Sequence, residues 1–228
     1  MDRRGTPASS VLPHLDGPGT GHRFGWVTRP VGLQGDVAHA TKVRLLKAGL
    51  TLFLRRGYAD TGVQDLLDAT KVPKGSFYHH FKNKEDFALQ VIDRYMDAVH
   101  SVLDAILADT SRPPLDRVRA FFEAVRESYA SEGYLGCLLG QLGQELSGVS
   151  PVFRAKIEGC LHAIASSIGV CLAEAARQRD LPHDTDPRQL GEILVNCWEG
   201  AALRSRLLRS PAPLQAVLDF YFRVASPV

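Results

Sequence analysis

From about residue 37 onward, apolar residues recur at steps of three and four, which is the period of an α-helix. In the first segment this pattern is set by Val43, Leu46, Leu50, Phe53 and Leu54. No stretch of convincing length alternates apolar and polar residues, so the sequence offers no candidate β-strand. Prolines and capping residues mark further helix starts near positions 83, 113, 150, 186 and 210. We therefore expect an all-α protein of about nine helices joined by short turns.

Residues 1–36 differ in composition from the rest of the chain. They hold 7 of the 20 glycines and 4 of the 13 prolines, and they show little periodicity. Such a segment buries too little apolar surface to offset the entropy lost on ordering it. We predict a disordered tail over 1–36, a small helical domain over 37–86 and a larger one over 87–228. A start codon placed too far upstream would also explain the tail.

Two short helices with a tight turn between them are predicted within residues 61–81. Thr61 and Gln64 have the spacing of a capping box, with Thr61 as the N-cap of a helix over 63–70. Residues 71–74 are too short and too limited by Pro73 to continue that helix. A second helix follows over 74–81, which completes a helix-turn-helix. Its core would contain Val63, Leu66, Leu67, Val72, Phe77 and Phe81.

The second of these helices would expose donors and one aromatic ring, on Lys74, Ser76, Tyr78 and His79. Such groups suit the phosphates and base edges of a DNA major groove. Gly75 would let the backbone approach DNA closely. Lys82 and Lys84 flank the next helix start, where backbone amides together with Lys84 would suit a phosphate.

The distribution of charge also favours a DNA-binding unit in this segment. A formal net charge of +2 excludes a polybasic protein that is covered by nucleic acid. Residues 41–86 nevertheless carry 9 Lys and Arg against 5 Asp and Glu, whereas residues 87–228 carry 14 against 17. We therefore expect a small DNA-binding head on a body that has another task.

A distinctive set of residues consists of Gly57-Tyr58, Thr61 and the run VPKGSFYHHFKNKE over 72–85. This set resembles the DNA-binding domain of the TetR family of transcriptional regulators. Pro73 departs from the family pattern, which often has Ser there, and removes a side-chain cap. The resemblance implies that Thr61 and Gln64 anchor phosphates, that residues 74–79 enter the groove, and that Lys84 clamps the backbone. It also implies a symmetric homodimer on a palindromic operator in double-stranded DNA.

The same resemblance implies a C-terminal helical domain that dimerises and holds a ligand pocket among its middle helices. Residues 151–179 and 187–208 are the two longest late helices, and they are the predicted dimer interface. Small or apolar side chains on the first of them would permit close packing, at Ala163, Ala165, Ile168, Ala173 and Ala176.

Two short patches, residues 136–139 and 198–204, are similar to the branch of the family that contains the NemR and AcuR repressors. Regulators of that branch respond to small electrophiles or acrylate-like molecules, and the resemblance implicates Cys137 as a sensor. Cys137 also lies near a predicted helix start, where the helix N-terminus would lower the pKa of its thiol; a buried, inert cysteine is the alternative. Tyr129, Gln141 and Trp198 either line a pocket or pack in the core.

The expected function is a ligand-responsive transcriptional repressor, released from its operator by a small-molecule inducer. The sequence contains no hydrolase elbow, Walker loop or zinc-protease motif, and we predict no cofactor and no metal site. A thiol-dependent enzyme that uses Cys137 and a helical adaptor without DNA binding remain as alternatives. The chain has no secretory pattern and no apolar run of about 18 residues. We therefore expect a cytoplasmic protein with no membrane partner.

Overall fold

The computed structural model describes residues 35–225, with side chains from residue 38 onward. Within this range the chain forms nine α-helices and no β-strand, which confirms the all-α prediction. The helices are α1 (Gly35–Arg56), α2 (Val63–Thr70), α3 (Lys74–His80), α4 (Lys84–Leu107), α5 (Pro114–Ser131), α6 (Leu138–Leu146), α7 (Pro151–Gln178), α8 (Pro187–Leu208) and α9 (Ala212–Ala225). The predicted tail lies outside the described residues, except for positions 35 and 36, which begin α1.

Three helices begin at the capping residues that the sequence indicates. The side chains of Asn83, Ser150 and Asp186 each accept a hydrogen bond from a backbone amide in the first turn, at 2.8, 3.3 and 2.9 Å. These bonds satisfy amides that have no partner inside the helix. Prolines occupy the first turns of α5, α7 and α8, where a missing N–H costs nothing.

The predicted capping box of α2 is wrong by one residue. The N-cap is Gly62, whose backbone amide donates to the carboxylate of Asp65 at 2.7 Å, so Thr61 and Gln64 do not form the box. Thr61 is fully buried, and its hydroxyl donates to the carbonyl of Gly57 at 2.7 Å. The end of α1 leaves carbonyls without helical partners, and one of them takes the hydroxyl. Helix α2 still spans the predicted residues.

Helices α7 and α8 pack with their backbones almost in contact. A Cβ atom placed on Gly191 would lie 2.6 Å from the carbonyl oxygen of Ala165 and 3.1 Å from the amide of Gly169. Ala165 and Ile168 are consequently buried inside the chain. The prediction that these two residues face a second copy is wrong, because their side of α7 is already covered by the protomer itself.

A buried arginine joins three helices of the body. Arg117 on α5 is 3 % exposed and pairs with Glu174 of α7 at 2.7 Å. Its Nη1 donates to the carbonyl of Leu107, at the end of α4, also at 2.7 Å, and its Nε is buried without a hydrogen-bond partner within the described residues. The hydrogen bonds to Glu174 and the nearby negative charges raise the pKa of Arg117 further. The charge is thus paired where it is removed from water, as a buried ion requires.

Among the described helices, α7 is by length and composition long and apolar enough to cross a membrane. Helix α7 packs against α4, α5, α6 and α8, as the central helix of a folded domain does.

Candidate DNA-binding face and ligand cavity

The core of the helix-turn-helix is built from the residues that the sequence indicates. Leu66, Leu67, Val72, Phe77 and Phe81 are all buried, and Val63 is half-buried. The rings of Phe77 and Phe81 pack against Phe87 at the start of α4, with centroid distances of 5.4 and 4.8 Å. Because these rings face inward, they fix which side of α3 faces outward.

The outward side of α3 carries the predicted groove-contacting residues. Lys74, Gly75 and His79 are exposed, Tyr78 is 50 % exposed, and Ser76 is half-buried. A Cβ atom on Gly75 would meet nothing within 4 Å, so nothing within the described protomer crowds this position. The N-cap of α3 is Pro73 and makes no side-chain cap, as the departure from the family pattern implied.

The residues predicted to hold phosphates lie in three different environments. Gln64 is exposed, and its amide donates to Asp68 at 2.9 Å. Lys82 is exposed at the turn into α4. Lys84 is half-buried, with its ammonium 4.1 Å from the ring centroid of Tyr58, and burial lowers its pKa against the opposing effect of nearby carboxylates. Thr61 is buried, so its hydroxyl holds the α1–α2 turn instead of facing solvent.

A cavity of about 70 Å³ lies in the body, with walls from α1, α4, α5, α7, α8 and the start of α6. Most of its lining is aliphatic and aromatic. Of the predicted pocket residues, Tyr129, Cys137 and Trp198 line it. Gln141 does not: its side-chain amide donates to the carbonyl of Phe53 in α1 at 2.7 Å and accepts from Arg206 of α8.

Cys137 is the N-cap of α6 and is buried in the cavity wall. Its sulfur lies 3.6 Å from the hydroxyl of Tyr95 and also hydrogen bonds with Glu199. Burial, and after it the charge of Glu199, raise the pKa of the Cys137 thiol. The prediction of a lowered pKa is wrong, because the contribution of the helix N-terminus, through the amide of Gly140, is smaller than the cost of burying a thiolate.

Four polar residues of the cavity were not predicted, Tyr95, Ser128, Glu132 and Glu199, and two of them contact Cys137. Glu199 follows Trp198 on α8, and burial raises the pKa of its carboxyl group to about 7. Tyr95 of α4 hydrogen bonds with both Cys137 and Tyr129, and burial raises the pKa of both phenols well above the usual value. Glu199 lies inside the patch at 198–204 that resembled the NemR and AcuR branch, so its place there was a usable signal. Nothing in the spacing around Tyr95 pointed to a pocket.

Helix α6 touches the cavity at one end and the DNA-binding unit at the other. Its N-cap, Cys137, lines the cavity, and near its C-terminus Glu145 accepts hydrogen bonds from the backbone amides of Tyr58, at 2.8 Å, and Ala59. Gly57 has a φ of +85°, and a Cβ atom there would lie 2.8 Å from the Glu145 carboxylate. The α1–α2 turn is therefore shaped around a side chain of the body.

The helix-turn-helix has an exposed polar face, and helix α6 connects it to a helical body that contains a cavity. This combination defines a DNA-binding transcriptional regulator. The family model for the N-terminal domain of bacterial regulatory proteins of the tetR family matches residues 45–91. The model for the tetracyclin repressor-like C-terminal domain matches residues 114–221. The chain belongs to the TetR family of transcriptional regulators.

Individual relatives agree with the branch that the two short patches indicated. The chain is 39 % identical over 190 residues to the transcriptional regulator AcuR of Cereibacter sphaeroides, covering 82 % of this chain and 85 % of that protein. It is 30 % identical over 181 residues to the repressor NemR of Escherichia coli, covering 79 % and 91 %. A crystal structure of a regulatory protein TetR from Rhodobacter sphaeroides superposes with a TM-score of 0.78 at 38 % identity, covering 83 % and 100 %.

Proposed function

We propose that this protein is a repressor that leaves its operator when a small molecule enters the cavity. The observation that carries this proposal is helix α6, which lines the cavity through Cys137 and holds the α1–α2 turn through Glu145. A ligand shifts DNA binding only if it binds the two states differently. A helix in contact with both sites can have its position biased by each of them.

In this proposal the head, residues 37–86, reads DNA through the outward side of α3. Lys74, Gly75, Ser76, Tyr78 and His79 face the major groove, and Gln64, Lys82 and Lys84 contact phosphates. Thr61 acts indirectly, because its buried hydroxyl holds the turn before α2. The body, residues 87–228, dimerises and binds the inducer, and helix α4 runs from one unit into the other.

In place of the pair predicted from sequence, residues 151–179 and 187–208, we assign the dimer interface to α8 and α9, which pack side by side. On α8, Ile193 and Leu207 are exposed on one face, 14 residues and therefore about four turns apart. On α9, Phe220 and Val224 are exposed at a spacing of four, with Phe220 at 62 %. A row of exposed apolar side chains on two adjacent helices favours burial against a second copy. Two heads related by a two-fold axis suit a palindromic operator.

The inducer belongs to the small molecules that fit a cavity of about 70 Å³, and the candidates are electrophiles and acrylate-like compounds. The raised pKa of Cys137 gives no support to a thiol-dependent enzyme, which needs a thiolate. Operator binding by such a regulator takes place in the cytoplasm, which is the location we propose.

A gel-shift assay with the DNA upstream of the protein's own gene and its neighbours tests the proposal. We expect a sequence-specific shift that weakens steeply with salt, because several phosphates are neutralised on binding. A folded, dimeric protein that shifts none of these fragments more tightly than random DNA would contradict the repressor assignment.

A further inference from the structure

The polar groups that line the cavity are all neutral or acidic at neutral pH. Among the described lining residues, Glu132 and Glu199 are acidic, Tyr95 and Tyr129 carry phenols and Cys137 a thiol, and no Lys, Arg or His is present. The lining residues of α1 and α7 are aliphatic. An anionic ligand therefore finds no cation to pair with, from any helix that surrounds it.

We propose that this cavity selects uncharged small molecules that carry an N–H or O–H group, and that Glu199 is the residue that makes the selection. The inference deepens the proposed function, since it rests on the cavity being the inducer site. It narrows the proposed inducers to neutral compounds, such as amides and alcohols, and disfavours the carboxylates among them, acrylate included.

The position of Glu199 supports a role as a hydrogen-bond acceptor for a ligand. Its carboxyl group lies over Gly140 of α6, where a Cβ atom would collide with it. Cys137 supplies a hydrogen bond to Glu199 from the cavity wall. A carboxylate offers about four lone-pair sites, and a thiol is a weak donor, so capacity remains for a donor from the ligand.

A carboxylate ligand would place a second negative charge beside Glu199 in a mostly apolar cavity. Such a ligand can bind only when Glu199 takes up a proton. Because burial raises the pKa of Glu199 to about 7, roughly one molecule in ten has this carboxyl group protonated at pH 8. The titratable groups that interact with it are Tyr95 from α4, Tyr129 from α5 and Cys137 at the start of α6, and none of them adds a positive charge.

Propionamide and propionate form a suitable test pair, because they match in size and neither reacts with thiols. Trp198 lines the cavity, and Trp26→Phe leaves it as the sole tryptophan, so its fluorescence reports binding without DNA. At pH 8 we expect propionamide to bind at least about tenfold more tightly than propionate. Glu199→Gln should reduce this ratio by about tenfold. Glu192→Gln, an exposed site two turns earlier on α8, should leave it unchanged.

A second measurement uses the unaltered side chain. At pH 6 Glu199 is mostly protonated, so the preference for the amide should shrink toward the value of the Glu199→Gln variant. Selection by Glu199 would be overturned if the two compounds bound equally at pH 8 or if neither bound. It would also be overturned if the affinity ratio changed neither with the substitution nor with pH. Preferential binding of the amide that leaves operator binding unchanged would contradict the proposed release mechanism and leave the selectivity intact.

Discussion

Lys74 and Tyr78 are the side chains of α3 best placed to decide operator affinity. Lys74 is exposed, whereas Tyr78 is 50 % exposed and its ring lies 5.3 Å from that of Phe77, so Lys74→Ala should leave folding unchanged and Tyr78→Ala removes one contact with the core. We expect Lys74→Ala and Tyr78→Ala each to weaken operator binding by about 1–3 kcal/mol, which is about 5- to 150-fold. Gel shifts measure the loss and thermal unfolding checks the fold. Arg177→Ala, an exposed basic site on α7, is the matched control and should bind as tightly as the wild type.

Cys137 should be a slow nucleophile in the absence of ligand, because its raised pKa leaves almost no thiolate at neutral pH. We expect iodoacetamide at pH 7.5 to alkylate it at least about a hundredfold more slowly in the native protein than in urea-unfolded chain. Peptide mass spectrometry measures both rates at this one site. Similar rates in the two states would show an accessible thiol with an ordinary pKa and contradict this prediction, and a faster rate in the native protein would restore the low-pKa sensor predicted from sequence.

Gly191 controls how closely α8 approaches α7. The packing of these two helices is therefore sensitive to any side chain added at this position. An added methyl group would lie 2.6 Å from a backbone carbonyl that cannot move without shifting α7. Gly191→Ala should therefore destabilise the protein by about 1–3 kcal/mol, as overpacking does. Gly159→Ala is the control: this glycine is exposed on α7 with nothing within 4 Å, and alanine should stabilise the helix by about 0.5–1 kcal/mol. Urea unfolding monitored by circular dichroism compares the two.

Helix starts could be predicted where the signal is local. Asn83, Ser150 and Asp186 cap their own first turns, so their spacing is sufficient. Thr61 could not be assigned in this way, because its hydroxyl bonds to the end of the preceding helix and leaves the cap to Gly62. Local spacing permits either arrangement, and the contact with α1 decides between them.

At the scale of the molecule, the head was predictable and the cavity was not. The helix-turn-helix core lies within about 25 consecutive residues, where period and turn chemistry act together. The cavity instead depends on how distant segments meet: Tyr95 and Cys137 are 42 residues apart, and Gln141 reaches Phe53 across 88. A pattern within one helix shows which side chains are polar, but it does not show that Glu199 faces a cavity while Gln141 faces α1.

Operator binding should require the dimer, because each protomer contributes one head with a small basic excess. Leu207 and Phe220 are 71 % and 62 % exposed on the proposed α8–α9 face. Leu207→Glu combined with Phe220→Glu should give a folded monomer, since two carboxylates would be buried at a symmetric apolar contact. Sedimentation velocity measures the oligomeric state, and the gel shift should lose its specific band even though every residue of α3 is intact.

Val149→Glu provides the matched control for that experiment. Val149 is 77 % exposed in the turn between α6 and α7 and belongs to neither α8 nor α9. Replacing it should leave both the dimer and operator binding unchanged, which separates loss of an interface from the general effect of added negative charge near DNA. If the Leu207/Phe220 double variant still sediments as a dimer, the interface lies on another face, and the spacing of the two heads must be set by a different pair of helices.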